Sequence, residues 1–238
     1  MVTPESGHPL TLTWADERGA ILAVVPITAT LAYYALPDRL QSQPLLQFIP
    51  QIIAYLALAF WTSLNTRISP RLGLTYALLR PGLKLGLLTG LILGSLNTVI
   101  ILKVFPSLGY DITFLKDTPH AKLPVFAMVP WLIIGIALFV ELNFRGFLLG
   151  RLIRLESAHL ETRLTRSLSP LALLSSTLTF AFDPFMVNTF QHLHWIAVWD
   201  GMIWGLIVVR TGNLYATMVA HAVEVIVMYS TVRYLLMA

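Results

Sequence analysis

The chain contains no cysteine and has little charge. Without cysteine it can form neither disulfides nor thiolate metal sites, and cysteine nucleophiles are excluded. Charged residues make up 12% of the sequence, against about 25% in an average soluble domain. Hydrophobic residues make up 56%, and the mean hydropathy is +0.73. This balance predicts an all-α, polytopic transmembrane helical bundle, a multi-pass integral membrane protein with lipid as its first partner. The net charge of +4 would suit an acidic partner, but the sequence has no basic tail, no aromatic-basic interleaving and no glycine-rich phosphate loop. Nucleic acid is therefore not an expected partner, and no cofactor is expected. The positive residues instead cluster between apolar segments, the usual topology signal of membrane proteins.

A helix needs roughly 20 apolar residues to cross about 30 Å of hydrocarbon. Seven windows qualify or come close: Ala20 to Leu36, Phe48 to Leu64, Leu85 to Leu102, Pro124 to about Phe144, Leu168 to Phe182, Trp195 to Val209, and Leu214 to Tyr229 or Leu236. The segment before the first window carries Glu5, Asp16 and Glu17 against Arg18. That charge is wrong for a signal-peptide n-region, so the window reads as a retained anchor. Gly86, Gly90 and Gly94 repeat every fourth residue in the third window and predict close packing of two helix backbones. No internal repeat or linker appears, so residues 1–238 read as one membrane domain.

Arg67, Arg71, Arg80 and Lys84, then Arg151, Arg154, Arg163 and Arg166, then Arg210, fall on one side of seven crossings together with Arg18. The positive-inside rule places that side and the N-terminus in the cytoplasm. The stretch from Arg151 to Arg166, with Glu156 and Glu161 among its basic residues, reads as a surface amphipathic helix.

Ionisable residues at membrane depth cost several kcal/mol, roughly 2.5 to 3.5 on insertion scales, and so point to sites. Glu141 and Arg145 are four apart and can share a helix face, which predicts a structural ion pair. Asp183, His192, His194 and Asp200 fall in or beside apolar windows, as does the His221–Glu224 pair, three apart. A neutral histidine with a glutamate serves as a proton relay, as half of a metal site, or as a buried hydrogen-bonded couple. Zinc would need Glu141, His194, His221 and Glu224 to converge from separate helices, so no metal is predicted.

Val140-Glu141-Leu142-Asn143-Phe144-Arg145-Gly146 resembles the EExxxRG motif of the CAAX protease and bacteriocin-processing (CPBP, or Abi) family of intramembrane proteases. Gly201 to Leu214, with Gly205 and Arg210-Thr211-Gly212, followed by Ala220-His221-Ala222, resembles the family's GxxxGxxxxRTGSL…HAxxN ending. The resemblance runs from about Arg80 to the C-terminus. It implies an α-helical membrane fold with a cavity opening within the bilayer, and a prenylated or transmembrane peptide substrate. It also implies a first-motif glutamate and second-motif histidine that activate water, and a third-motif histidine and asparagine that stabilise the oxyanion.

The chain departs from this pattern where the chemistry resides. Val140 replaces the first glutamate, Glu141 matches the second, and Arg145 matches the arginine. His221 matches the third-motif histidine, while Val225 stands at the asparagine position. For the FxxxH motif, Phe190 to His194 fits by letters, whereas spacing favours Phe180 to Pro184. A general base contributes about 10²- to 10⁴-fold and an oxyanion donor about 10²- to 10³-fold. The first reading is therefore a non-proteolytic relative that binds or assembles a membrane partner. The second is an active endopeptidase using Glu141, His194 and His221, with His192, Glu224 and Asp183 as further cavity residues. The third is a transporter or lipid-binding protein, disfavoured because no paired inverted repeat is present.

Overall fold

The structure is a computed structural model describing residues 17–160 and 168–237. Among these residues there are helices and turns and no strand. The main helices are α1 (Val24–Tyr34, entered by a 3-10 turn at Ala20–Ala23), α2 (Ile49–Leu64), α3 (Tyr76–Val99), α4 (Val125–His159), α5 (Pro170–Ala181), α6 (Ile196–Thr211) and α7 (Leu214–Met237). Five helical stretches are long and apolar enough to cross a membrane: Pro44–Leu64, Ile68–Ser107, Val125–His159, Pro184–Thr211 and Leu214–Leu236. Ala20–Tyr34 and Pro170–Ala181 are apolar but shorter. Each of the seven expected windows is thus helical, with different ends. Many large apolar side chains face outward, among them Leu31, Leu56, Phe60, Leu88 and Ile92, as expected of helices solvated by lipid.

Two boundaries differ in a way that matters. α4 does not stop near Phe144; it continues for 35 residues, about 52 Å at 1.5 Å per residue, well beyond a bilayer core. The sequence predicts a surface helix from Arg151 to Arg166, and the described part corrects this. Arg151 and Glu156 are buried, and Arg151 Nε lies 2.8 Å from Glu17 Oε1. Residues 161–167, including Arg163 and Arg166, lie outside the described residues. Glu17 also lies 3.2 Å from Arg154 and 3.6 Å from Arg71, and accepts a 2.9 Å hydrogen bond from Trp61 Nε1. A hydrophobicity pattern marks these arginines as polar, but burial follows from the carboxylate on which they converge. Glu17, Arg71, Arg151 and Arg154 therefore share one end of the bundle.

The pairing of α3 with α7 fixes the centre. Gly82, Gly86, Gly90 and Gly94 form a stripe on α3 that lies directly against α7. A methyl group on Gly86 would stand 2.5 Å from the Ala216 carbonyl oxygen, and one on Gly90 2.6 Å from that of Ala220. The stripe serves internal packing, as small residues do where two helix backbones meet. The Arg210-Thr211-Gly212-Asn213 segment turns α6 into α7. Gly212 takes the left-handed conformation that ends a helix, φ 62, and its N–H reaches the Val208 carbonyl. Asn213 then donates from Nδ2 to the Leu78 carbonyl at 2.8 Å, tying this turn to α3.

Candidate functional site

Between α2, α4, α6 and α7 lies a cavity of about 750 Å³ with mostly apolar walls. The close approach of α3 and α7 delivers polar groups to it. Asn97 lies three residues beyond Gly94, and its Nδ2 reaches Asp200 Oδ1 at 3.1 Å, Asp200 Oδ2 at 3.0 Å and Glu224 Oε1 at 2.8 Å. Its Oδ1 accepts from Trp199 Nε1 at 3.0 Å, which fixes the amide with its N–H groups toward the carboxylates. Asn97, Asp200 and Glu224 are all buried, and the two acids line the cavity.

A second group lies beside the first. α4 has π-type hydrogen bonding over Leu132–Leu138 and Leu142–Leu149, flanking Glu141. Such widened turns are frequent at functional sites. Glu141 is fully buried, with Arg145 Nη1 at 3.2 Å and His221 Nδ1 at 3.0 Å from its Oε1. Arg145 is sandwiched by aromatic rings, its guanidinium carbon 4.2 Å from the Phe180 centroid and 5.0 Å from that of Trp204. Gly201 makes room for it: a methyl there would meet Arg145 Nη2 at 3.1 Å. His221 stacks on Trp204 with centroids 4.3 Å apart and also lines the cavity.

Each residue singled out in the sequence can now be placed. Glu224, Asp200, Asp183 and His221 line the cavity, as do Val140 and Val225. Asp183 also has a local role. It caps the short helix Pro184–Phe190, with Oδ1 accepting from Phe185 N at 3.0 Å and from Gln51 Nε2 at 2.8 Å.

His192 and His194 are corrections, because neither lines the cavity. His192 stacks on Tyr110, with centroids 4.8 Å apart, and touches Phe105 and Phe114. His194 packs on Phe182 and Trp195, and its Nδ1 contacts the Gln191 carbonyl. Both lie in the 3-10 turn Gln191–Trp195, whose tight winding turns them away from the bundle centre. By contrast Phe180, from the alignment that spacing favours, lines the cavity. Among the described residues, no three His, Asp or Glu side chains gather as metal ligands.

Asn97 is absent from the candidates legible in the sequence. Its signal was an amide in an apolar window, which the search for ionisable residues passed over. At the other end of the cavity are Lys116, His120 and Arg233. Arg233 Nη1 donates to the carbonyls of Ala121 and Leu123, each at 2.8 Å, and so holds the loop before α4. His120, in that loop, has its imidazole pushed below the usual range by burial.

Comparison with curated proteins and with solved structures gives no match. Residues 122–227 match the family model described as type II CAAX prenyl endopeptidase Rce1-like, a region that runs from just before α4 to a little past the middle of α7 and contains Glu141, Arg145, Asp200, His221 and Glu224. Residues 122–227 thus carry an Rce1-like domain, in agreement with the resemblance of the Glu141 and His221 motifs to the CAAX protease and bacteriocin-processing family.

Proposed function

We propose that this protein is a non-proteolytic relative of the Rce1-like endopeptidases, which binds a membrane-embedded ligand or partner group in the α2–α4–α6–α7 cavity. One observation carries the reading. Val140 and Val225, which stand where the family resemblance calls for a glutamate and an asparagine, both line the cavity wall. An isopropyl group neither accepts a proton from water nor donates to an oxyanion. Both catalytic contributions are thereby removed at the positions where they would act. What remains is a container: about 750 Å³, within the range of ligand sites, with apolar walls and a few convergent polar groups.

The second reading, an active endopeptidase, draws on the hydrogen bond between His221 and Glu141. A carboxylate that holds one imidazole nitrogen leaves the other available as a base, as in triads. Against it stands Val140, at the position where the family resemblance calls for the water-activating glutamate. The test is restoration. The parent chain should leave prenylated and transmembrane peptides intact in liposomes, and any turnover of them by the parent overturns the reading. Val140→Glu with Val225→Asn asks whether the scaffold recovers activity.

The basic end of the bundle, with Arg71, Arg151 and Arg154, is assigned to the cytoplasm on the positive-inside rule, and the N-terminus with it.

A further inference from the structure

We infer that the cavity floor formed by Asp200 and Glu224, backed by Asn97, is a binding site for the ammonium head of a single-chain cationic amphiphile drawn from the membrane. The inference rests on the binding reading above and names the ligand class. Near the floor are three carboxyl groups, Glu141, Asp200 and Glu224, and one guanidinium, Arg145, which is in ion-pair contact with Glu141. Among the described residues no cationic side chain lies within ion-pair distance of Asp200 or Glu224, and the donor they share is the neutral Asn97 amide. Glu224 is 2% exposed; its Oε1 takes the amide, and Oε2 is left without an N–H donor, the Asp200 carboxyl group being the hydrogen-bonding neighbour of this acid. A buried carboxylate oxygen without a donor is costly, and an ammonium group brings three N–H donors with a compensating charge. The lack of a three-ligand acidic or histidine cluster among the described residues speaks for an organic cation over a metal ion.

The walls specify the rest of the ligand. Trp131, Ile134 and Phe139, all from α4, line the cavity and are 57%, 54% and 48% exposed. The cavity therefore opens sideways to lipid along α4. Arg233 at the far end is nine residues along α7 from Glu224, about 14 Å of helix rise. An apolar channel of that length, with acid at its floor, fits one alkyl chain whose head points inward. A transmembrane helix, 10–12 Å across, would fill about 750 Å³ with roughly one and a half turns, so a whole span does not fit.

The test uses the full chain in nanodiscs of neutral lipid, with dodecylamine, dodecanol and laurate as probes. A ligand bound only by the folded state raises the apparent melting temperature in a concentration-dependent way. Dodecylamine should protect at concentrations at least tenfold lower than dodecanol, and laurate should not protect. Asp200→Asn with Glu224→Gln should abolish the preference for the amine. Val225→Lys, which tethers an ammonium beside Glu224, should weaken dodecylamine binding at least tenfold.

Equal protection by amine and alcohol on the parent chain overturns the inference while leaving the binding reading intact, and makes the two acids a proton-sharing couple. Protection by sodium or calcium alone overturns it in favour of an inorganic cation. Protection by none of the amphiphiles removes both the inference and the container reading. The comparison of probes on the parent decides the matter even if the acid variants fail to fold.

Discussion

His221 Nδ1 lies 3.0 Å from Glu141 Oε1, bridging α7 to α4 through side chains that are both buried. Glu141 is thus shared by two partners, since Arg145 approaches the same oxygen at 3.2 Å. This geometry makes Glu141 the link that holds α4, α7 and the aromatic pair Phe180–Trp204 in register. It also commits the histidine at the third-motif position to a structural contact on one of its two nitrogens.

Removing Arg145 should therefore destabilise the protein more than surface changes do. Arg145→Ala leaves Glu141 buried without its cation, a loss of about 3–5 kcal/mol. Detergent-solubilised variants compared by thermal unfolding should show this as a markedly lower midpoint and folded yield. Glu141→Ala with Arg145→Ala should cost less than the two single changes added together. Additive losses, or an Arg145→Ala protein as stable as the parent, would contradict the pairing.

The glycine stripe makes a separate prediction. A methyl group on Gly90 would lie 2.6 Å from the Ala220 carbonyl oxygen, with backbone on the far side that cannot give way. Gly90→Ala should destabilise by about 1–3 kcal/mol through separation of α3 from α7. Ser95→Ala, on the exposed side of α3, should be near neutral. Because the same contact carries Asn97 to Asp200, Gly90→Ala should also weaken any ligand held on the cavity floor.

Orientation is tested by chemistry that the chain makes simple, since no native cysteine interferes. Ala158 is exposed near the end of α4, seven residues beyond buried Arg151. Ala158→Cys in spheroplasts should be protected from a membrane-impermeant maleimide and should react after permeabilisation. Reaction from outside in intact cells would reverse the assignment.

His120 gives a pH signature. Its imidazole is held below the ordinary value of 6.5 by burial, so the unfolded chain takes up its proton first as pH falls. The contribution of this residue is complete above pH 6.5 and declines as pH drops from there toward the lower folded value. His120→Asn should flatten the fall in melting temperature between pH 7.5 and 5.5 relative to the parent. An unchanged slope would show that His120 is not responsible for it.

Much of this architecture was readable before the structure. Long apolar windows gave the helices because lipid leaves the backbone few alternatives, and Gly86, Gly90 and Gly94 marked a close helix–helix contact because only small side chains permit it, though not that α7 is the partner. The four-residue spacing of Glu141 and Arg145 also marked them as sharing one face, and the π-type turn keeps them paired. Three things were not readable. His192 and His194 match a motif by letters, but a 3-10 turn points them elsewhere. Arg151 and Arg154 looked like surface charge until Glu17, more than 130 residues away, supplied their counter-ion. Asn97 gains its place only through Asp200 and Glu224, which come from two other helices. Long-range pairing of this kind leaves no periodic trace in one sequence.

The central claim, that the cavity binds and does not cleave, is tested most directly by a reconstituted cleavage assay on a library of prenylated and transmembrane peptides. Parent, Glu141→Gln and His221→Ala proteins are compared in liposomes by mass spectrometry of the products. The account predicts no product from any of the three above the protein-free background. Cleavage by the parent that both substitutions abolish would contradict it and place the protein among active intramembrane endopeptidases.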